Sequence, residues 1–258
     1  MHPSILSLRR HTRFHSAFLP DDRDVLVWLP PGYRGGRRRF PVLYMHDGQN
    51  LFDPETAYQK GQHWRVGETA TELIEAGRIE PLIIVGIDNT GPSRINEYTP
   101  TKDKKLGGGR AKAYGRLIVE ELKPLIDATY RTRPDAANTG LGGSSLGALV
   151  TLHLGYRHRS TFSRLAVHSP SVWWDRRVIL RTIRRERPRP PFKLWVDMGT
   201  DEGKRGLDDA RMLKAALVGS GYVEGTDLHY AEYEGATHSE ASWAERVGPM
   251  LEWLFPAP

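Results

Sequence analysis

Short apolar runs alternate along the chain with stretches of helical periodicity. DVLVWLP (24–30), FPVLYMHDG (40–48) and PLIIVGID (81–88) predict strands, and the last two are nearly unbroken in apolarity. A strand covered on both faces reads as a continuous apolar run, so these two belong in a mostly parallel sheet sandwiched by helices. WRVGETATELIEAGRI predicts a helix that stops near Gly77. AYGRLIVEELKPLIDATYR predicts another, with Tyr114, Ile118, Leu122, Leu125 and Ile126 on one stripe and Pro124 marking a kink or a break. Downstream come a helix to about Tyr156, strands RLAVHSP and FKLWVDMGT, a helix through DDARMLKAALVGSG, a strand DLHYAEYEG and a closing helix SWAERVGPMLEWLF. Strand–helix alternation of this kind defines an α/β fold with right-handed crossovers in one sheet. There is no internal repeat, and the glycine run at 102–112 reads as a surface loop rather than a linker, so a single domain over 1–258 is expected.

Composition narrows the function more than the fold. Hydrophobic residues make up 39% of the 258, enough for a sizeable core. Cysteine is absent, which removes disulfides, thiolate metal sites and a cysteine nucleophile together. The net charge of +6 raises the question of nucleic acid. The basic clusters RGGRRRF (34–40) and RTIRRERPRPPFK (181–193) contain Gly or Pro and lie between stronger periodic segments, so both read as solvated loops and no nucleic-acid partner is expected. The first 22 residues hold no apolar run of signal-peptide length. No stretch reaches the roughly 20 apolar residues of a membrane span. The expectation is a cytoplasmic protein with no membrane partner.

GLGGSSLGALV (140–150) places two serines among glycines, between a predicted strand and a predicted helix. Either this is a tight packing corner, or Gly143-Ser144-Ser145-Leu146-Gly147 is a G-x-S-x-G elbow that holds Ser145 out as a nucleophile. A serine hydroxyl attacks well only when a histidine takes its proton and an acid orients that histidine. Both partners are present in the order Ser, acid, His. Asp201 and Glu202 follow a strand in VDMGTDEG, and His238 lies between a strand and the last helix in YEGATHSEASW. Consecutive residues leaving a strand face opposite ways, so one of the two acids should face His238. The backbone N–H of Leu146 is one candidate oxyanion donor, and that of Gln49, after the turn at Gly48, is the other. A metal site from His46, Asp47 and Asp53 is the rival reading of that loop; adjacent strand residues diverge, so no metal is expected. GTDEGKR and GLGGSS lack the spacing of the phosphate-binding and dinucleotide motifs, and no cofactor is expected. Trp173 and Trp174 follow a strand end and are candidates for an aromatic substrate wall, with Trp64 on the oxyanion side; core packing competes for all three. Arg94 is a candidate substrate contact, although pairing with Glu97 to fix its loop is the favoured reading.

The set YMHDGQNLFD, RINEYTPTKD, EELKPLIDATYRT, GLGGSSLGALV, SPSVWWD, GTDEG and GATHSEASW resembles the putative esterase family of α/β hydrolases, in consistent order from about 12 to 255. That family includes feruloyl and acetylxylan esterases, catecholate-siderophore esterases and mycolyltransferases. The resemblance implies an α/β-hydrolase fold and cofactor-free hydrolysis of a small-molecule ester through an acyl-enzyme. It places Ser145, Glu202 and His238 as nucleophile, acid and base, with the residue after Asp47-Gly48 contributing to the oxyanion hole. Ala148 departs from a glycine common in relatives, a small change compatible with a helix. Aryl or sugar esters such as feruloyl or acetyl esters are the expected substrates. Siderophore trilactones are the alternative, disfavoured because such cytoplasmic esterases usually carry an extra N-terminal domain. Acyl transfer, or a binding module that has kept the fold without catalysis, are the remaining readings.

Overall fold

A computed structural model describes residues 7–258; the first six residues of the charged opening segment lie outside the described residues. In chain order the elements are β1 (Leu8–Phe14), β2 (Arg23–Trp28), β3 (Val42–His46), α1 (Val66–Glu75), β4 (Ile83–Ile87), α2 (Arg94–Glu97), β5 (Lys102–Asp103), β6 (Gly107–Gly108), α3 (Ala111–Arg116), α4 (Lys123–Thr129), β7 (Thr139–Ser144), α5 (Leu146–Arg157), β8 (Arg164–His168), α6 (Trp174–Arg185), β9 (Lys193–Gly199), α7 (Lys204–Gly219), β10 (Leu228–Tyr233) and α8 (Glu240–Leu254). Eight strands form one sheet in the order β1-β2-β4-β3-β7-β8-β9-β10. β1 and β2 pair antiparallel, as do β2 and β4, and every other neighbouring pair is parallel.

The sheet separates two apolar layers. Val25, Val27, Val42, Tyr44 and Val85 pack with residues of α3 to α7, whereas Leu26, Trp28, Leu43, Met45 and Ile84 pack with α1 and α8. Successive strand residues alternate between these layers, which is why the runs at β3 and β4 carry no polar break. The parallel strands deliver their carboxyl ends, and the loops that follow, to one edge of the sheet.

Three expectations need correction. β1 was not among the predicted strands: it is an edge strand whose LRRHTRF keeps only intermittent burial, so its apolar signal is weak. Arg181–Arg185 is not loop but the end of α6, whose inner face buries Ile179, Leu180 and Ile183 while the arginines face outward. The predicted helix around Pro124 is α3, a π-helical segment Leu117–Leu122, and α4 with Pro124 in its first turn. The π segment shifts the rotational phase of the later residues. Tyr114, Ile118, Leu122 and Ile126 are buried as expected, but Leu125 turns out to solvent.

Candidate active site

β7 carries the chain to the sheet edge and α5 takes it away, leaving Ser145 at the corner with φ 58° and ψ −120°. Side chains rarely occupy that region, and the neighbouring glycines make the corner sterically possible. A Cβ on Gly142 would stand 2.7 Å from that of Ala166 on β8. The Ser145 N–H donates to the His168 carbonyl at 3.0 Å, and its own carbonyl accepts from Ser171 N–H at 3.0 Å. Its hydroxyl rests 3.3 Å from Ser171 Oγ. Leu146 opens α5, where N–H groups have no intrahelical acceptor and the helix dipole favours negative charge.

β9 ends in a short turn, Thr200–Glu202, and the loop after β10 brings back His238. His238 Nδ1 donates to Glu202 Oε2 at 2.6 Å. The other carboxylate oxygen, Oε1, accepts from Ser169 Oγ at 2.6 Å and from Gly199 N–H at 2.8 Å. The Glu202 side chain is 3% exposed and that of His238 is 46% exposed, so the acid sits behind the imidazole, away from solvent. Burial works to raise the Glu202 carboxyl, but the hydrogen bonds from His238, Ser169 and Gly199 outweigh it and hold the group below the ordinary carboxylate range. Asp201 is exposed, its N–H spent on the Ala236 carbonyl. Of the two neighbouring acids, Glu202 is the one paired with His238.

On the other side of Ser145, Asp47 adopts a left-handed conformation (φ 57°, ψ 48°) and starts the turn Gly48–Asn50. A Cβ on Gly48 would lie 2.6 Å from the Gly86 carbonyl carbon on β4, so only glycine allows the loop to press on the sheet. Gln49 follows, with its N–H in the first turn and its Oε1 accepting from Asn89 N–H at 3.2 Å. Arg94 grips the Asp47 carboxylate through Nε at 2.7 Å and Nη2 at 2.8 Å. Burial would raise that carboxyl; the Arg94 guanidinium and Asn89 hold it down. Arg94 therefore pairs with Asp47 and not with Glu97, which is held by Arg23 at 2.7 and 2.9 Å. Among the described residues no group of three His, Asp or Glu side chains is placed to hold a metal ion. His46 Nδ1 instead shares a hydrogen bond with Tyr114 OH at 2.9 Å.

A cavity of about 520 Å³ is lined by Ser145, Gln49, Arg94, Trp243 and His238. A second, of about 400 Å³, is walled by Trp173, Pro170, Met198, Arg205 and, again, His238. Trp173 thus faces open space. Trp174 and Trp64 do not, and both were misplaced as substrate contacts. Trp174 is wholly buried with its indole N–H on the Thr101 carbonyl at 3.1 Å. Trp64 is buried against Trp243 and edge-on to His168. An indole whose apolar surface and N–H are both satisfied inside, as in Trp174, is a core residue, and Trp64 joins the core by burial, at 3% exposure.

Sequence reading missed Ser169, Ser171, Asp197 and Arg246. The two serines follow β8 in HSPS, a strand end on the same edge. Arg246 carried a legible signal: it interrupts the apolar face that α8 builds from Trp243, Val247 and Met250.

An Endo-1,4-beta-xylanase/feruloyl esterase of Xylanibacter ruminicola is 26% identical over 238 residues, 89% of this chain and 29% of that protein. A Siderophore enterobactin esterase of Emericella nidulans is 30% identical over 175 residues, 62% of this chain and 55% of that protein. Among solved structures, the BES protein from Bacillus cereus superposes with a TM-score of 0.76 at 21% identity, covering 96% of this chain and 95% of its own. Residues 16–254 match the family model described as "Putative esterase". The chain belongs to that family of enzymes and has the α/β-hydrolase type of fold.

Proposed function

We propose that the chain, acting as one esterase domain, is a serine carboxylic-ester hydrolase that works through an acyl-enzyme. The observation that carries this reading is the 2.6 Å hydrogen bond from His238 Nδ1 to the buried Glu202, with the imidazole facing the same cavity as Ser145. Donating through Nδ1 leaves Nε2 as the lone-pair base. Ser145 Oγ turns from Ser171 toward Nε2, loses its proton there and bonds to the ester carbonyl carbon. The oxyanion is stabilised by the N–H groups of Leu146 and Gln49. Collapse breaks the bond to the alcohol oxygen, which takes the proton from Nε2. Water then repeats the sequence on the acyl group, releases the acid and restores Ser145.

Two cavities meeting at His238 suit an ester with a sizeable group on each side. The Trp173 wall favours an aryl or sugar ester, such as a feruloyl or acetyl ester, and Arg94 borders the cavity that holds Ser145. The 30% identity to the enterobactin esterase supports a siderophore trilactone as the second reading. Fluorophosphonate labelling tests the chemistry: one label per chain at Ser145 is expected, and labelling unaffected by Ser145→Ala overturns it. A panel of p-nitrophenyl acyl esters, methyl ferulate, acetylated xylan and an iron-loaded catecholate trilactone then assigns the substrate. A difference of about a hundredfold in kcat/KM decides the class.

A further inference from the structure

Arg246 is completely buried in α8 and faces two carboxylates. Its Nη1 donates to Asp197 Oδ1 at 2.8 Å and to Ser169 Oγ at 3.1 Å, and its Nη2 lies 3.4 Å from Glu202 Oε1. Asp197, equally buried on β9, also accepts from His168 Nδ1 at 2.6 Å and Trp195 Nε1 at 2.7 Å. Ser169 adds the decisive detail. Its oxygen receives two N–H donors, Arg246 at 3.1 Å and Trp243 Nε1 at 2.9 Å. A hydroxyl has one proton and two lone pairs. With both lone pairs occupied, the Ser169 proton is directed at Glu202 Oε1, 2.6 Å away.

Arg246 therefore acts on Glu202 twice, by charge and through the Ser169 hydroxyl. Together with Gly199 N–H these contacts saturate Oε1 and leave Oε2 for the imidazole. A purely structural ion pair with Asp197 requires neither contact. We propose that Arg246 is a positioning residue for the ester hydrolysis: with Asp197 as its counter-charge, it keeps Glu202 ionised and aimed at His238, and the balance of that pair tunes the pH at which the site becomes active. The inference rests on the triad reading above. Other titratable groups facing this region are Arg205 on α7, which lines one cavity with Glu202 and His238, Asp47, Arg94 and Glu240, which line the other with His238, and His168 on β8, which shares Asp197 with Arg246. The ring centroid of Tyr233 on β10 lies 5.1 Å from the Arg246 guanidinium.

The test is the pH profile of kcat/KM for p-nitrophenyl acetate in Arg246→Met, Arg246→Lys and the double variant Asp197→Asn/Arg246→Met. Removing the cation alone leaves two buried anions behind His238, which favours the imidazolium. The acid limb of Arg246→Met should move up by about half to one pH unit, with kcat at its optimum down by about tenfold or more. Arg246→Lys keeps the charge but not the fork, so its limb should stay in place while kcat falls less than in Arg246→Met. The double variant restores the wild-type net charge of this buried group and serves if Arg246→Met does not fold. Its limb should return to the wild-type position with kcat still reduced, because Ser169 has lost one of its two directing donors. A folded variant lacking Arg246 with kcat within about twofold of wild type and an unmoved limb overturns the proposal. Ser145→Ala is assayed alongside. Hydrolysis that survives that change sinks the triad reading itself, a different result from Ser145-dependent activity that is indifferent to Arg246.

Discussion

Ser171 holds Ser145 at two points, donating its N–H to the Ser145 carbonyl at 3.0 Å and placing its Oγ 3.3 Å from the Ser145 hydroxyl. The resting hydroxyl is parked on a neighbour that lacks basic character. Ser171→Ala should cost less than about tenfold in kcat, since only a weak, long hydrogen bond is lost. Ser145→Ala should remove ester hydrolysis by about four to six orders of magnitude. Ser144 is buried and only touches the cavity, so Ser144→Ala should keep substantial activity with an unchanged circular dichroism spectrum. Equal losses at 144 and 145 would move the nucleophile.

Glu202 accepts hydrogen bonds at both carboxylate oxygens. In Glu202→Gln the amide must turn its NH2 toward either Ser169 and Gly199 or the imidazole, setting donor against donor. A fall in kcat of about three to four orders of magnitude is expected. Asp201→Asn, at an exposed neighbour, should cost less than about tenfold. Steady-state kinetics of the two proteins side by side decide it, and the reverse ranking would transfer the acid role to Asp201.

The contact of Gly48 with β4 supports the Gln49 loop. Gly48→Ala would put a methyl 2.6 Å from backbone that cannot yield. The expected cost is about 1–3 kcal/mol of stability, together with a roughly hundredfold drop in kcat as the Gln49 N–H is displaced. Gly36→Ala, where nothing lies within 4 Å, is the control and should stay within about 0.5 kcal/mol in urea unfolding.

Asp88 gives the stability a pH dependence of unusual sign. Burial, reinforced by the nearby Asp24 and Asp47 and only partly opposed by Arg10, pushes its carboxyl up to about 7. An acid raised in the folded state binds protons that the unfolded chain has released, so folding loses stability as pH rises from about 4 to 7. Asp47 and Glu202, held low, act in the opposite sense: their contribution is complete above the ordinary carboxylate range and is lost as acid protonates them in the folded state. Asp88→Asn should therefore stabilise the protein by about 1–3 kcal/mol at pH 8 and have almost no effect near pH 4. Guanidinium titrations at the two pH values measure this, and an equal change at both would show that ionisation of Asp88 is not the cause.

The strands around the site were legible because two-sided burial writes an apolar run into β3, β4, β8 and β9. The corner at Ser145 was legible because steric demand forces glycines around it. What escaped depended on partners distant in sequence. Asp197 and Arg246 are 49 residues apart, and nothing local distinguishes a buried, paired arginine from a solvated one except its place in an apolar stripe. Tryptophans misled for a related reason: a strand-end position is shared by Trp173, which faces a cavity, and Trp174, whose N–H is claimed by Thr101. The Arg-rich end of α6 read as loop because charge and nearby prolines masked the helical spacing of Ile179, Leu180 and Ile183.

The backbone angles of Ser145 also bear on how this molecule divides its free energy. A side chain held at φ 58°, ψ −120° costs about 1–3 kcal/mol that glycine would relieve. Against the 5–15 kcal/mol or so of a typical domain, that is a sizeable fraction concentrated in one residue. A selection for thermal hardiness alone would thus be drawn to Ser145→Gly, a chain that melts later and has lost its hydroxyl. With Ser145 as the proposed nucleophile, robustness and reactivity pull in opposite directions at this single position, and a screen of variants by melting temperature is expected to favour Ser145→Gly despite its lost hydroxyl.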